Sequence, residues 1–334
     1  MRSSLAITLC LLACGPKEAD HEPQLPSPDP RVEDLSLAMD GAVDEAETLR
    51  NPVTGWLLET DCDAILWNGK YAAASRVTGV DLTAAEYPAP QQGRFSRRYY
   101  ADPCWTPELG DVGSKTTWSR DMARGLFPAA WRKKDLALLT RHAAYGAAND
   151  WKLGEPLADG RVLYTPATIG LLYQTIHALG GEDNINRLWP DFYPAGLTDF
   201  QAHLQVMNIW QRGEVEEELA RQSKPGNSDD AEPNKPMPDD ASEVKQDDLP
   251  QGFALLNVNQ QQLDRLREHA ARDPRDPLFQ AELGVYTGDM GPALDVCLDP
   301  AKPVGEYVRC NDFRRCQLAA WIFACDIVLR RYGR

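Results

Sequence analysis

Histidine, basic patches and long apolar runs are scarce in this 334-residue chain, and each shortage excludes a class of function. Of its five histidines, His142, His177, His203 and His269 stand singly, without the neighbours that a His-based triad or a metal site needs. No CxxC pair, GxSxG elbow, P-loop or HExxH sequence occurs, so neither a zinc site nor a bound cofactor is expected. Lys and Arg number 35 against 50 Asp and Glu, a formal net charge of -15, and no basic cluster interleaves with aromatics. Such a chain has no cationic face with which to neutralise phosphates, and nucleic acid is excluded as a partner. Period-two alternation is nearly absent as well, which leaves little room for a sheet.

What is present begins at the N-terminus. One Arg precedes the apolar stretch Leu5 to Ala13 and small residues follow, the layout of a secretory signal and too short to cross a bilayer. Its end, Leu11-Leu12-Ala13-Cys14, resembles the lipobox of bacterial lipoproteins. That resemblance implies removal of residues 1–13, lipidation of Cys14, a stable membrane anchor and, with Gly15 next, an outer-membrane address. Residues 14–35 are polar and Pro-rich and read as a disordered tether. Residues 223–250, with three Asp-Asp pairs in no EF-hand spacing, read as a disordered acidic insertion. Everything else in 36–334 reads as a single helical domain.

Export makes the cysteines informative. Cys62, Cys104, Cys297, Cys310, Cys316 and Cys325 are an even set in an oxidising compartment, enough for up to three disulfides. Cys316 and Cys325 fall on one expected helix, roughly 13 Å apart, so each needs a partner elsewhere. The expected local pairs are Cys62 with Cys104 and Cys297 with Cys310.

Apolar residues recurring at three and four predict helices over 33–50, 54–76, 119–133, 135–149, 165–180, 197–222, 259–272, 276–286 and 313–331. Thr165-Pro166 reads as an N-cap followed by Pro at the first helical position, and Gly180-Gly181 as a helix end. The tight join at Lys133-Lys134-Asp135 predicts an αα-hairpin, with Pro128 kinking its first helix. The expected class is all-α, a toroid-like assembly of helical hairpins, with disulfide-stapled loops at 80–115 and 287–312.

Two concentrations of acid and aromatic residues suggest carbohydrate chemistry, which uses one protonated and one ionised carboxyl flanking the bond and rings as platforms for sugar faces. The first is Glu59-Thr60-Asp61-Cys62-Asp63, whose acids either supply a general acid or cap the helix that follows. The second is Trp118-Ser119-Arg120-Asp121. At a helix N-terminus Asp121 stays ionised, suited to a base or nucleophile or, alternatively, to a first-turn ion pair, and Arg120 can hold a carboxylate through two bonds. Trp67, Tyr99, Tyr100, Trp105 and Trp118 are the candidate sugar platforms.

The run Trp118-Ser119-Arg120-Asp121-Met122, opening a helix after an aromatic loop, resembles the W-x-R-D element of (α/α)6 toroid glycosidases such as the glucoamylase and neutral invertase groups. The resemblance implies that Arg120 and Asp121 line a sugar-sized groove. The expected function is an exported, lipid-anchored glycoside hydrolase acting on a polysaccharide. A lyase with a Tyr or His base on the same fold, and a surface lipoprotein that binds glycan or protein without catalysis, are the alternatives.

Overall fold

Three helices in this protein begin at side chains that cap them. The computed structural model describes residues 29–59, 61–86, 91–97, 105–106, 110–111, 118, 120–153, 164–182, 199–223, 260–303, 310 and 312–332. These residues form ten α-helices: α1 (Arg31–Leu49), α2 (Ala64–Ala73), α3 (Arg120–Lys133), α4 (Leu136–Ala148), α5 (Pro166–Ala178), α6 (Asp199–Gln222), α7 (Gln260–Arg272), α8 (Pro277–Thr287), α9 (Gly291–Cys297) and α10 (Phe313–Tyr332). Asp135, Thr165 and Asp276 each start a helix by accepting hydrogen bonds from its first free N–H groups. Pro follows the cap in α5 and α8, where its missing N–H costs nothing. The strands β1 (Trp105–Thr106) and β2 (Gly110–Asp111) form a two-residue antiparallel ladder. The all-α expectation therefore holds across the described residues.

Every residue of α2 is buried, and it packs chiefly against α3 and α10. Its closest neighbour is α3, and glycines make that approach possible. A Cβ on Gly69 would lie 2.2 Å from the carbonyl carbon of Gly125, and one on Gly125 would lie 2.3 Å from the carbonyl oxygen of Ile65. On its other sides α2 meets α10, whose stretch from Leu318 to Val328 is buried. α1, α8 and α9 pack on α10, while α6 connects α3 and α5 to α8. Between α3 and α4 the chain reverses at Lys134 (φ 55°) and Asp135, as the tight join there predicts.

Four expectations need correction. The helix predicted over 54–76 is confined to Ala64–Ala73, and residues 51–59 and 61–63 form turns and bends instead. The Asn68 side chain is the reason: its Oδ1 accepts from the N–H groups of Leu57 and Leu58, and its Nδ2 donates to the Leu58 carbonyl. Gly55, at φ 70°, also turns the chain where a Cβ would sit 2.0 Å from the Gly79 carbonyl oxygen. Second, the loop expected over 287–312 contains α9, with Pro292 in its first turn. Third, α1 begins at Arg31, inside the expected tether, where the Asp29 carboxylate accepts from the Arg31 backbone N–H. Most of the tether and all but the first residue of the acidic insertion lie outside the described residues, as do Cys14 and the leader.

The fourth correction concerns disulfides. Cys297 bonds Cys325 and Cys310 bonds Cys316, so the expected Cys297–Cys310 pair does not form. Helix α9 packs against α10 and brings Cys297 to Cys325, which local spacing alone does not reveal. Cys316 and Cys325 do take partners elsewhere, as their separation on one helix requires. Cys62 is disulfide-bonded, and Cys104 lies outside the described residues. The Cys297–Cys325 bridge closes a loop with a sequence separation of 28. Replacing both cysteines with Ala should cost about 3.5 kcal/mol on the loop-entropy scale, read as a lower midpoint in urea.

Candidate carboxyl site at the start of α2 and α3

Parallel packing of α2 and α3 brings their N-termini together, and with them the two acid-rich sequences. Asp63 is the N-cap residue of α2, although its side chain makes no capping bond. Asp121 is half-buried in the first turn of α3. The negative charge of Asp121 acts directly on the Asp63 carboxyl, and so does that of Asp61. Burial is the largest influence and raises the Asp63 pKa to about 6, against the pull of the Arg97 guanidinium. Asp63 keeps 21% side-chain exposure, and Arg97 Nη1 lies 3.3 Å from its Oδ1. The Arg97 carbonyl accepts from the Ile65 N–H at 3.0 Å, which fixes that residue to the first turn of α2.

The neighbouring acids have other work. Asp61 is buried, and its Oδ1 accepts from the Asp63 backbone N–H at 2.8 Å. A carboxylate oxygen of Asp61 lies within 4.8 Å of the Cys310 and Cys316 sulfurs. Those sulfurs are bonded to one another and have no thiolate to offer, so the trio is not a metal site. Glu59 accepts from Asn51 Nδ2 at 2.6 Å and is not among the charges acting on Asp63. Of the four acids expected from sequence, the structure thus brings Asp61, Asp63 and Asp121 together and turns Glu59 to a structural bond.

The expected platforms fare differently. Trp67 and Trp118 are 0% and 2% exposed, so both are core residues and present no ring to a ligand. Trp118 Nε1 donates to the Tyr164 hydroxyl at 3.0 Å, and that hydroxyl lies 2.7 Å from His142 Nε2. His142 Nδ1 faces the Gly93 carbonyl oxygen at 2.7 Å, which requires the proton on Nδ1. A directed chain results, from Trp118 through Tyr164 and His142 to Gly93, with every polar group satisfied. Burial lowers the His142 pKa to about 4 and raises that of Tyr164. The chain pins the 91–97 loop, and hence Arg97, to α4. Trp105 has only its backbone described, in β1, and the same holds for Arg120 at the start of α3; Tyr99 and Tyr100 lie outside the described residues.

Lys70 lies two turns along α2 from Asp63 and is fully buried. Its ammonium nitrogen contacts His203 Nε2 and sits 4.4 Å from the centroid of the Trp67 ring. Burial lowers the Lys70 pKa to about 7, opposed by the charges of Asp276 and Asp63. Asp276 is the buried N-cap of α8, and burial raises its pKa to about 7. This group was missed in the sequence, although a lone cation in AILWNGKYAA and an Asp before Pro277 both mark it.

No protein-family model, curated protein or solved structure matches the chain. Its chemistry must be read from the site itself. A carboxyl whose pKa burial raises to about 6, with the charge of an acid in the first turn of α3 acting on it, is a candidate general acid. It also has a consequence for stability. Between the ordinary value of 3.8 and about 6 the folded state binds more protons than the unfolded chain at Asp63. The stabilisation from this group is therefore complete below 3.8 and is lost as pH rises through about 6. Urea unfolding across that range should show stability falling with rising pH, and Asp63→Asn should flatten the fall.

Proposed function

We propose that this chain is a glycan-active hydrolase in which Asp63 is the general acid and Asp121 its ionised partner. The observation that supports this reading most is the raised proton affinity of Asp63 with the charge of Asp121 beside it. In glycoside hydrolysis the protonated carboxyl gives its proton to the leaving oxygen, while the ionised one attacks the sugar carbon or activates a water. Arg97, 3.3 Å from Asp63, stabilises the carboxylate left after the transfer. Asp61 acts through the Asp63 backbone and is a positioning residue. The α3–α4 hairpin, with the acid on its first turn, suits a toroid of helical hairpins whose inner helices present the catalytic groups.

The proposal includes export and a lipid anchor on Cys14. Two disulfides among the described residues favour an oxidising compartment. The test is a panel of polysaccharides incubated with the purified protein, with new reducing ends followed as a function of pH. New reducing ends, with activity falling as pH rises through about 6, are expected, because Asp63 loses its proton there. Unsaturated, ultraviolet-absorbing ends would replace hydrolysis with elimination. Glycan binding with no product of either kind would leave a binding protein.

A further inference from the structure

The far ends of α2 and α3 line a cavity of about 620 Å³, within the size range of small-molecule sites. Five of its twelve lining residues are cations, Arg132, Lys133, Lys134, Arg221 and Arg330, in a chain where Lys and Arg make up 35 of 334 residues. Part of this charge is answered locally. Glu214 lies 3.2 Å from Arg132 and 3.8 Å from Arg330, and Glu218 lies 2.7 Å from Arg221. Asp326, behind the lining residue Ser75, accepts from the Ser75 N–H at 3.0 Å. The negative ends of α2 and α3 also draw cations to this place.

Lys133 and Lys134 are what remains, since neither forms an ion pair with a described residue. Burial and then the charge of Arg50 lower the Lys133 pKa, against the smaller opposing influence of Asp135 and Asp81. The lining itself carries five cations against two carboxylates, Glu214 and Glu218. Lys134 adopts φ 55°, a conformation that glycine takes without strain, at a position after a helix where glycine is the usual residue. Its ammonium nitrogen lies 4.1 Å from the centroid of the Trp131 ring, in the cavity wall. The turn ends α3, with the Lys134 N–H donating to the Trp131 carbonyl at 3.2 Å and the Asp135 N–H to the Ala130 carbonyl at 2.9 Å, and it holds the Lys134 side chain at the cavity wall.

We propose that this cavity binds a phosphate group, free or carried as an ester on a small polar molecule, with Lys133 and Lys134 as its principal ligands. The site is separate from Asp63 and Asp121 and does not depend on their chemistry. Calorimetric titration of the full chain with inorganic phosphate and with glucose 6-phosphate, at constant ionic strength, tests it. Saturable binding is expected, weakened about tenfold by either Lys133→Gln or Lys134→Gly, as loss of one charge-assisted contact predicts. Lys134→Gly relieves the strained backbone, so its ligand-free melting temperature should equal or exceed that of the wild type, which separates lost binding from lost folding. Tighter binding of the ester assigns the group to a small phosphorylated molecule, and equal affinity assigns it to the free ion. No saturable binding of either probe, or binding unchanged in both variants, overturns the proposal.

Discussion

Asp63→Asn and Asp121→Asn should each lower the turnover number by about 10²- to 10⁴-fold on whichever glycan the protein cleaves, with little change in KM. The Asn side chain keeps the volume and much of the polarity of Asp while removing the acidic carboxyl proton or the charge. Neither variant should unfold. Asp63 carries a carboxyl that burial and two neighbouring acids hold away from its ordinary range, so Asp63→Asn should match or exceed wild-type stability above about pH 6. Steady-state kinetics beside thermal unfolding would show the two effects diverging. Asp61→Asn is the internal control: Oδ1 can still accept from the Asp63 N–H, so its loss of turnover should be much the smaller.

The second large effect concerns the helix pair that creates the site. Gly69→Ala should destabilise the protein by about 3 kcal/mol or more, because the new methyl meets backbone that cannot move aside cheaply. That methyl would lie 2.2 Å from the Gly125 carbonyl carbon and 2.3 Å from its oxygen. Helix propensity works the other way and favours Ala by up to about 1 kcal/mol. The clash decides the sign. At Gly41, in the exposed part of α1, nothing lies within 4 Å of the added Cβ. Gly41→Ala should therefore stabilise by about 0.5–1 kcal/mol, and urea midpoints of the two variants should move in opposite directions.

Local signals in the sequence carry much of the helical frame. Thr165-Pro166 and the Lys134-Asp135 turn are visible because caps and tight turns are determined within a few residues. The turn region before α2 was not visible, because a single side chain, Asn68, satisfies the backbone from ten residues away. Disulfide pairing depends on α9 meeting α10, a tertiary fact, and the nearest cysteine was the wrong partner. Trp67 and Trp118 share a reason: a tryptophan beside a charged motif looks like a platform, yet both rings are needed to fill the core. At the site, sequence could show that acids cluster at 59–63 and at 121 but not which carboxyl faces which. Asp63 is distinguished by Arg97 and Asp121, residues 34 and 58 positions further along the chain.

The account rests on Asp63 keeping its proton well above the ordinary carboxyl value of 3.8 with the charge of Asp121 beside it. Carbon-13 NMR titration of the aspartate carboxyls, with Asp63 assigned by comparison with Asp63→Asn, measures this directly. The predicted result is a midpoint at about 6 for Asp63 that moves down in Asp121→Asn but stays above the ordinary value of 3.8, because burial, the largest cause, remains. A midpoint near 3.8 in the wild type, unmoved by Asp121→Asn, would contradict the assignment of Asp63 and Asp121 as an acid and its ionised partner.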